Sequence, residues 1–229
     1  MDVPQRFHDR REAGQLLARR LAPYKDRDDV VVFALPRGGV PVGYEIAREL
    51  KAPLDVFLVR KLGVPWQPEL AMGAIAGTGT EVLNADVVSA YNIPPHVIRA
   101  VAERERLELQ RRLQEYRGSR PMLDVSDRVV ILVDDGLATG STMRAAVRAV
   151  RQERPRGIVV AVPVAPWTAC RDVQSEVDEV VCLHAPRDFD AVGRWYEDFS
   201  QITDEEVREL LSDDITRHDS DSAHAAGSR

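Results

Sequence analysis

The chain has 229 residues, with 37 acidic against 31 basic side chains and a formal charge of −6. That length fits one domain with elaborations around one sizeable core, and 44% apolar with 30% charged residues excludes wholesale disorder. The acidic balance excludes a general electrostatic footprint for nucleic acid or anionic membrane, so an anionic ligand must be held by local groups.

In chain order, Arg10 to Leu21 places Ala13, Leu16, Leu17 and Leu21 at helical spacing and stops before Pro23. Val30 to Leu35 is a β-branched run that ends at Pro36-Arg37-Gly38-Gly39, the pattern of a buried parallel strand feeding a glycine turn. Helical period returns from Val40 to Leu50, and Leu54 to Val59 reads as a second strand ending in Arg60-Lys61. A stretch punctuated by Gly and Pro follows from Leu62, with short strands expected at Ala71 to Ala76 and Glu81 to Leu83. Pro94 and Pro95 open a long charged helix, His96 to Tyr116, whose stripe is Val97, Val101, Leu109, Leu113 and Tyr116. Its arginines interleave with glutamates, which predicts a solvated, self-paired face.

Arg128 to Val133 is the most strand-like segment, followed by a helix from Met143 to about Gln152. A strand at Gly157 to Val164, a short helix at Thr168 to Val173 and a strand at Glu179 to Leu183 complete the alternation. An aromatic segment (Phe189 to Phe199), an acidic helix (Thr203 to Leu211) and a polar tail from Ser212 to Arg229 close the chain. Alternating strands and helices predict an α/β fold, a doubly wound, mainly parallel sheet flanked by helices.

Cys170 and Cys182 are too few for a disulfide framework and lack CxxC spacing, so they read as small buried apolar residues. The five histidines form no metal-spaced set. No basic segment with a following apolar run opens the chain, and no apolar stretch reaches the roughly 20 residues of a membrane helix. A cytoplasmic protein without membrane or nucleic-acid partners is expected.

The chemistry concentrates after the Val129 strand. Ligands of open α/β sheets bind beyond the carboxyl ends of strands, and here two acids, Asp134 and Asp135, precede Gly136-Leu137-Ala138-Thr139-Gly140-Ser141-Thr142. Small residues let successive backbone N–H groups face one anion, and the next helix points its positive end at the same place. Adjacent carboxylates suit sugar hydroxyls and not phosphate, so the physical reading is a sugar phosphate. The spacing is neither a Walker loop nor GxGxxG.

Val130 to Thr142 resembles the phosphoribosyl-pyrophosphate (PRPP) signature of type I phosphoribosyltransferases. The resemblance implies that Asp134 and Asp135 hold the ribose hydroxyls and that Ala138, Thr139, Gly140, Ser141 and Thr142 wrap the 5′-phosphate. Pro36, Arg37, Gly38 and Gly39 stand where the family keeps its pyrophosphate loop, with a cis peptide expected at Pro36–Arg37. Arg60 and Lys61 resemble an Arg-Lys pair beside the pyrophosphate, although a surface pair is the alternative. Residues Leu62 to about Gly79 take the place of the family's mobile catalytic loop.

Ala191 to Phe199 resembles the aromatic hood of related enzymes and makes Phe189, Trp195 and Glu197 candidates for a base site, the alternative being a cap packed on the sheet. The resemblance implies one domain over residues 1–211, with an insertion at about 84–120 and a hood at about 185–211. It also implies Mg²⁺ carried by PRPP, with no metal site built by protein alone, catalytic roles for Arg37, Asp134 and Asp135, a small base as acceptor, and a homodimer. Ala138 stands where 6-oxopurine enzymes keep an aspartate, which makes a 6-oxopurine a poorer fit. The alternative function is a PRPP- or nucleotide-binding regulator that lacks the chemistry.

Overall fold

In the computed structural model, which describes residues 3–214, the central sheet is parallel throughout. Its strands are β1 (Val30–Ala34), β2 (Leu54–Val56), β6 (Val129–Val133), β7 (Gly157–Val164) and β8 (Glu179–His184), ordered β2-β1-β6-β7-β8. β1 and β6 are buried at every position, as continuous Val/Ile/Leu runs covered on both faces must be. The register Val30↔Val129 to Ala34↔Val133 sends alternate side chains to opposite sides. Val32, Ala34, Ile131 and Val133 face α1 (Arg10–Arg20) and α2 (Gly39–Leu50). Phe33, Val130 and Leu132 face α5 (Ser141–Gln152), and Val173 of α6 (Trp167–Gln174) joins that side.

Most of the expected elements lie close to their expected bounds, but the Leu54 to Val59 strand does not. It stops at Val56, and the chain turns into a second, antiparallel sheet of β3 (Val59–Val64), β4 (Gln67–Ala76) and β5 (Glu81–Leu83). Arg60 and Lys61 therefore lie inside β3, opposite Ile75 and Ala74, and do not end a parallel strand. The expected mobile loop at Leu62 to Gly79 is mostly this paired hairpin. It continues into a short helix that periodicity missed, α3 (Ala85–Ala90), capped by the Asn84 side chain.

The long helix, α4 (Pro95–Arg117), packs against the second sheet and buries Ile98, Val101, Ala102, Leu109 and Tyr116. Its exposed face carries the expected internal pairs, with Arg111 and Arg112 both on Glu108. Arg117 reaches back to the parallel sheet, its Nε 2.7 Å from Asp55 Oδ1 and its Nη2 on the Val56 carbonyl.

The tail expected from Ser212 begins inside a helix that spans 204–214. Asp214 is buried there, and its Oδ2 accepts from the Leu54 backbone N–H at 2.9 Å, which docks this helix on the sheet edge. The rest of that expected tail, 215–229, lies outside the described residues. No helix among the described residues is long and apolar enough to cross a membrane.

Candidate active site at the sheet switch point

The strand order reverses between β1 and β6, because β2 lies on one side of β1 while later strands extend from β6 to the other. A crevice therefore opens beyond the carboxyl ends of these two neighbours. The turn after β1 brings Pro36, Arg37, Gly38 and Gly39 to one wall, and the turn after β6 brings Asp134 and Asp135 to the other. The Pro36–Arg37 peptide is cis, as expected. The walls touch: a Cβ on Gly38 would lie 2.0 Å from Asp135 Oδ2, so only glycine admits the carboxylate at that distance.

Asp134 Oδ1 accepts from the Asp135 backbone N–H at 2.9 Å. Burial, and then the neighbouring Asp135 charge, push the Asp134 carboxyl well above the usual carboxylate range. Asp135 is also raised by burial, against the hydrogen bond and charge of Arg10. Arg10 is a site residue that the sequence reading missed. Its Nε donates to Asp135 Oδ2 at 2.8 Å, with side-chain exposures of 9% and 15%.

Ala138, Thr139, Ser141 and Thr142 are exposed at the N-terminal end of α5. Gly140 caps that helix at φ 73°, a left-handed conformation that glycine adopts without penalty. Thr139 Oγ1 and Ser141 Oγ lie 2.9 Å apart, and Thr139 Oγ1 also accepts from the Ser141 N–H. The first N–H groups of a helix have no partner within it, so this end offers main-chain donors, a positive dipole and three hydroxyls to an anion.

A cleft of about 360 Å³ is lined by Arg10, Arg37, Gly38, Asp135, Phe199, Gln201 and Ile202. Arg37 faces Asp204 at 3.8 Å, and Asp204 in turn accepts from the Tyr116 hydroxyl. Arg60 and Lys61 do not line this cleft. They line another cavity, of about 470 Å³, with Arg104 and Glu105, and Glu105 holds Arg60 at 2.8 Å.

The base-site candidates also separate from the acid pair. Trp195 lies against His184, with ring centroids 5.2 Å apart, and lines a third cavity with Arg6, Asp188 and Arg194. Glu197 is an exposed partner of His8 at 3.1 Å, and Phe189 is half-buried on the connection that follows β8 and precedes the short turn Val192–Trp195. Instead, the aromatics beside the acids are Tyr196, whose hydroxyl donates to the Asp135 carbonyl at 2.6 Å, and Phe199, stacked on Tyr196 at 5.0 Å. The aromatic clustering located this segment but not which rings face the crevice.

A parallel sheet with this order, with an acid pair at its switch point, defines a doubly wound α/β protein whose crevice lies where ligands of such sheets bind. Residues 8–193 match the model of the phosphoribosyl transferase domain. The chain belongs to that family.

It is 47% identical over 205 residues to a Mycobacterium tuberculosis H37Rv protein named "Putative phosphoribosyl transferase Rv0571c", covering 90% of this chain and 46% of that one. The same figures hold for its counterpart from strain CDC 1551 / Oshkosh. The chain thus spans about half the length of the curated relatives it matches. Among solved structures, TT1426 from Thermus thermophilus superposes with a TM-score of 0.82 at 47% identity, over 90% of this chain and 97% of that one.

Proposed function

We propose that the protein transfers the 5-phosphoribosyl group from PRPP to a nitrogen of a small base, releasing pyrophosphate. The observation that carries this reading is the meeting of the Pro36–Gly39 turn with the Asp134–Asp135 turn at the switch point, with the 138–142 loop following directly on the acids. The loop's N–H groups and hydroxyls bind the 5′-phosphate, and the two carboxylates accept from the ribose hydroxyls. Arg37 and the Gly38 and Gly39 amides take up the charge that grows on departing pyrophosphate.

In the reaction the new C1–N bond forms as the C1–O bond to pyrophosphate breaks, the leaving group keeps the electron pair, and the proton of the attacking nitrogen passes to solvent or to the released pyrophosphate. No nucleophilic side chain is required, so rate comes from placement and electrostatics. Mg²⁺ supplies charge neutralisation of the pyrophosphate when bound. The hard carboxylate oxygens of Asp134 and Asp135 suit it, since Mg²⁺ takes one or two carboxylates beside substrate phosphates. Among the described residues there is no group of three or more His, Cys, Asp or Glu that could hold a metal. A small base under the hood is the acceptor, cytoplasm the location and a homodimer the assembly in this reading. Arg60 and Lys61 join the pyrophosphate only if the hairpin moves toward the cleft.

Incubation with PRPP, Mg²⁺ and a panel of bases tests the proposal, with pyrophosphate release as the expected outcome. Absence of PRPP binding in calorimetry would refute it. Ala138 makes a 6-oxopurine the poorer acceptor; the second reading of the same site is a PRPP- or nucleotide-binding regulator that lacks the chemistry. Saturable binding without turnover over the whole panel would identify that case.

A further inference from the structure

Arg10 opens α1, one residue after the cap, where the helix dipole disfavours a cation. Its side chain is nonetheless 9% exposed, and burying a guanidinium is costly unless it is paired and hydrogen-bonded. Two of its nitrogens and its planar face are engaged. Nε donates to Asp135 Oδ2 at 2.8 Å, Nη1 donates to the Ser200 carbonyl at 2.8 Å, and the guanidinium carbon lies 3.9 Å from the Phe199 ring centroid. One side chain thus joins the α1 N-terminus, an acid of the crevice and the hood segment beside it.

A carboxylate has about four lone-pair positions, and Arg10 Nε engages one of them while leaving Asp135 on the wall of the cleft. A free aspartate has two soft torsions, and a ligand must order them. We propose that Arg10 is a positioning residue: it fixes the Asp135 carboxylate for a ribose diol and ties the Tyr196–Ser200 segment to that acid, so that sugar recognition and hood placement depend on one guanidinium. The inference rests on the phosphoribosyl reading of the same site, and it adds a residue that neither acid turn nor phosphate loop contains. Tyr196 reinforces the link through its hydrogen bond to the Asp135 carbonyl.

The test compares two ligands by calorimetry in the presence of Mg²⁺: ribose 5-phosphate, which has the diol, and pyrophosphate, which has none. Arg10→Met should weaken ribose 5-phosphate by about tenfold or more, the scale of a charge-assisted contact, and leave pyrophosphate within about twofold. Arg10→Lys keeps the charge but cannot reach the acid, the carbonyl and the ring together, and should show a smaller loss of the same selectivity. This variant decides the matter if Arg10→Met does not fold. Unchanged ribose 5-phosphate affinity, or equal losses for both ligands, would overturn the positioning role. Failure of the unaltered protein to bind either ligand would instead overturn the phosphoribosyl reading itself, and the positioning role with it.

Discussion

Asp134 keeps a carboxyl in a place where burial and a second acid both oppose its charge. A carboxyl whose affinity for protons rises on folding costs no stability below the ordinary carboxylate pKa of about 4. The cost then grows as pH rises toward the folded value, at about 1.4 kcal/mol per tenfold change in affinity. Asp134→Asn preserves the oxygen that accepts from the Asp135 N–H. It should therefore stabilise the fold by about 1 kcal/mol or more at pH 7, with the gain fading near pH 4. Urea titrations at both pH values check this, and a gain independent of pH would contradict it. Arg37→Ala should weaken pyrophosphate at least about fivefold more than ribose 5-phosphate, because its charge is assigned to the leaving group. Equal losses in calorimetry would remove it from that role.

Among the elements, α4 packs on β3 and β4 and reaches back to the parallel sheet through Arg117. Arg117 and Asp55 form a buried pair with side-chain exposures of 6% and 11%. Burial raises Asp55 even against that arginine. Removing one partner leaves an uncompensated buried group, so Arg117→Ala should cost about 3 kcal/mol in a denaturant titration. A loss below about 1 kcal/mol would mean that the helix is not fastened through this pair.

The parallel sheet was legible because strands covered on both faces are written as unbroken Val/Ile/Leu runs. The second sheet was legible only in part: strands were expected at Ala71 to Ala76 and Glu81 to Leu83, where β4 and β5 lie. β3 and the antiparallel pairing were hidden, since Gly63, Pro68 and Gly73 interrupt strands that gain their regularity through pairing with one another. The acid pair and the loop after it were legible as a candidate site for the opposite reason, their residues being consecutive in sequence. Arg10 was hidden because its partner lies 125 positions away and the first residue of an amphipathic helix looks like a solvated cation.

Across the whole molecule, the two arginines of the crevice are paired with acids of this chain: Arg10 with Asp135, and Arg37 with Asp204. An incoming anion must exchange partners with Asp204, against a net charge of −6. Binding that succeeds should couple strongly to stability, because the two turns belong to adjacent central strands. PRPP with Mg²⁺ at a hundredfold above its Kd should raise the melting temperature by about 5–10 °C. A thermal-shift series with no change at saturating PRPP would contradict that coupling.

The β1–β6 ladder carries one further consequence. The turn at Pro36 and the acids at Asp134 are neighbours in space, yet the second sheet, α3 and α4 all intervene along the backbone. Severing the polypeptide in the 118–128 connection would leave one jaw of the grip on each fragment. The proposed site would then be conditional on the reunion of two separate pieces, with ten hydrophobic strand residues, Val30–Ala34 and Val129–Val133, as the seam.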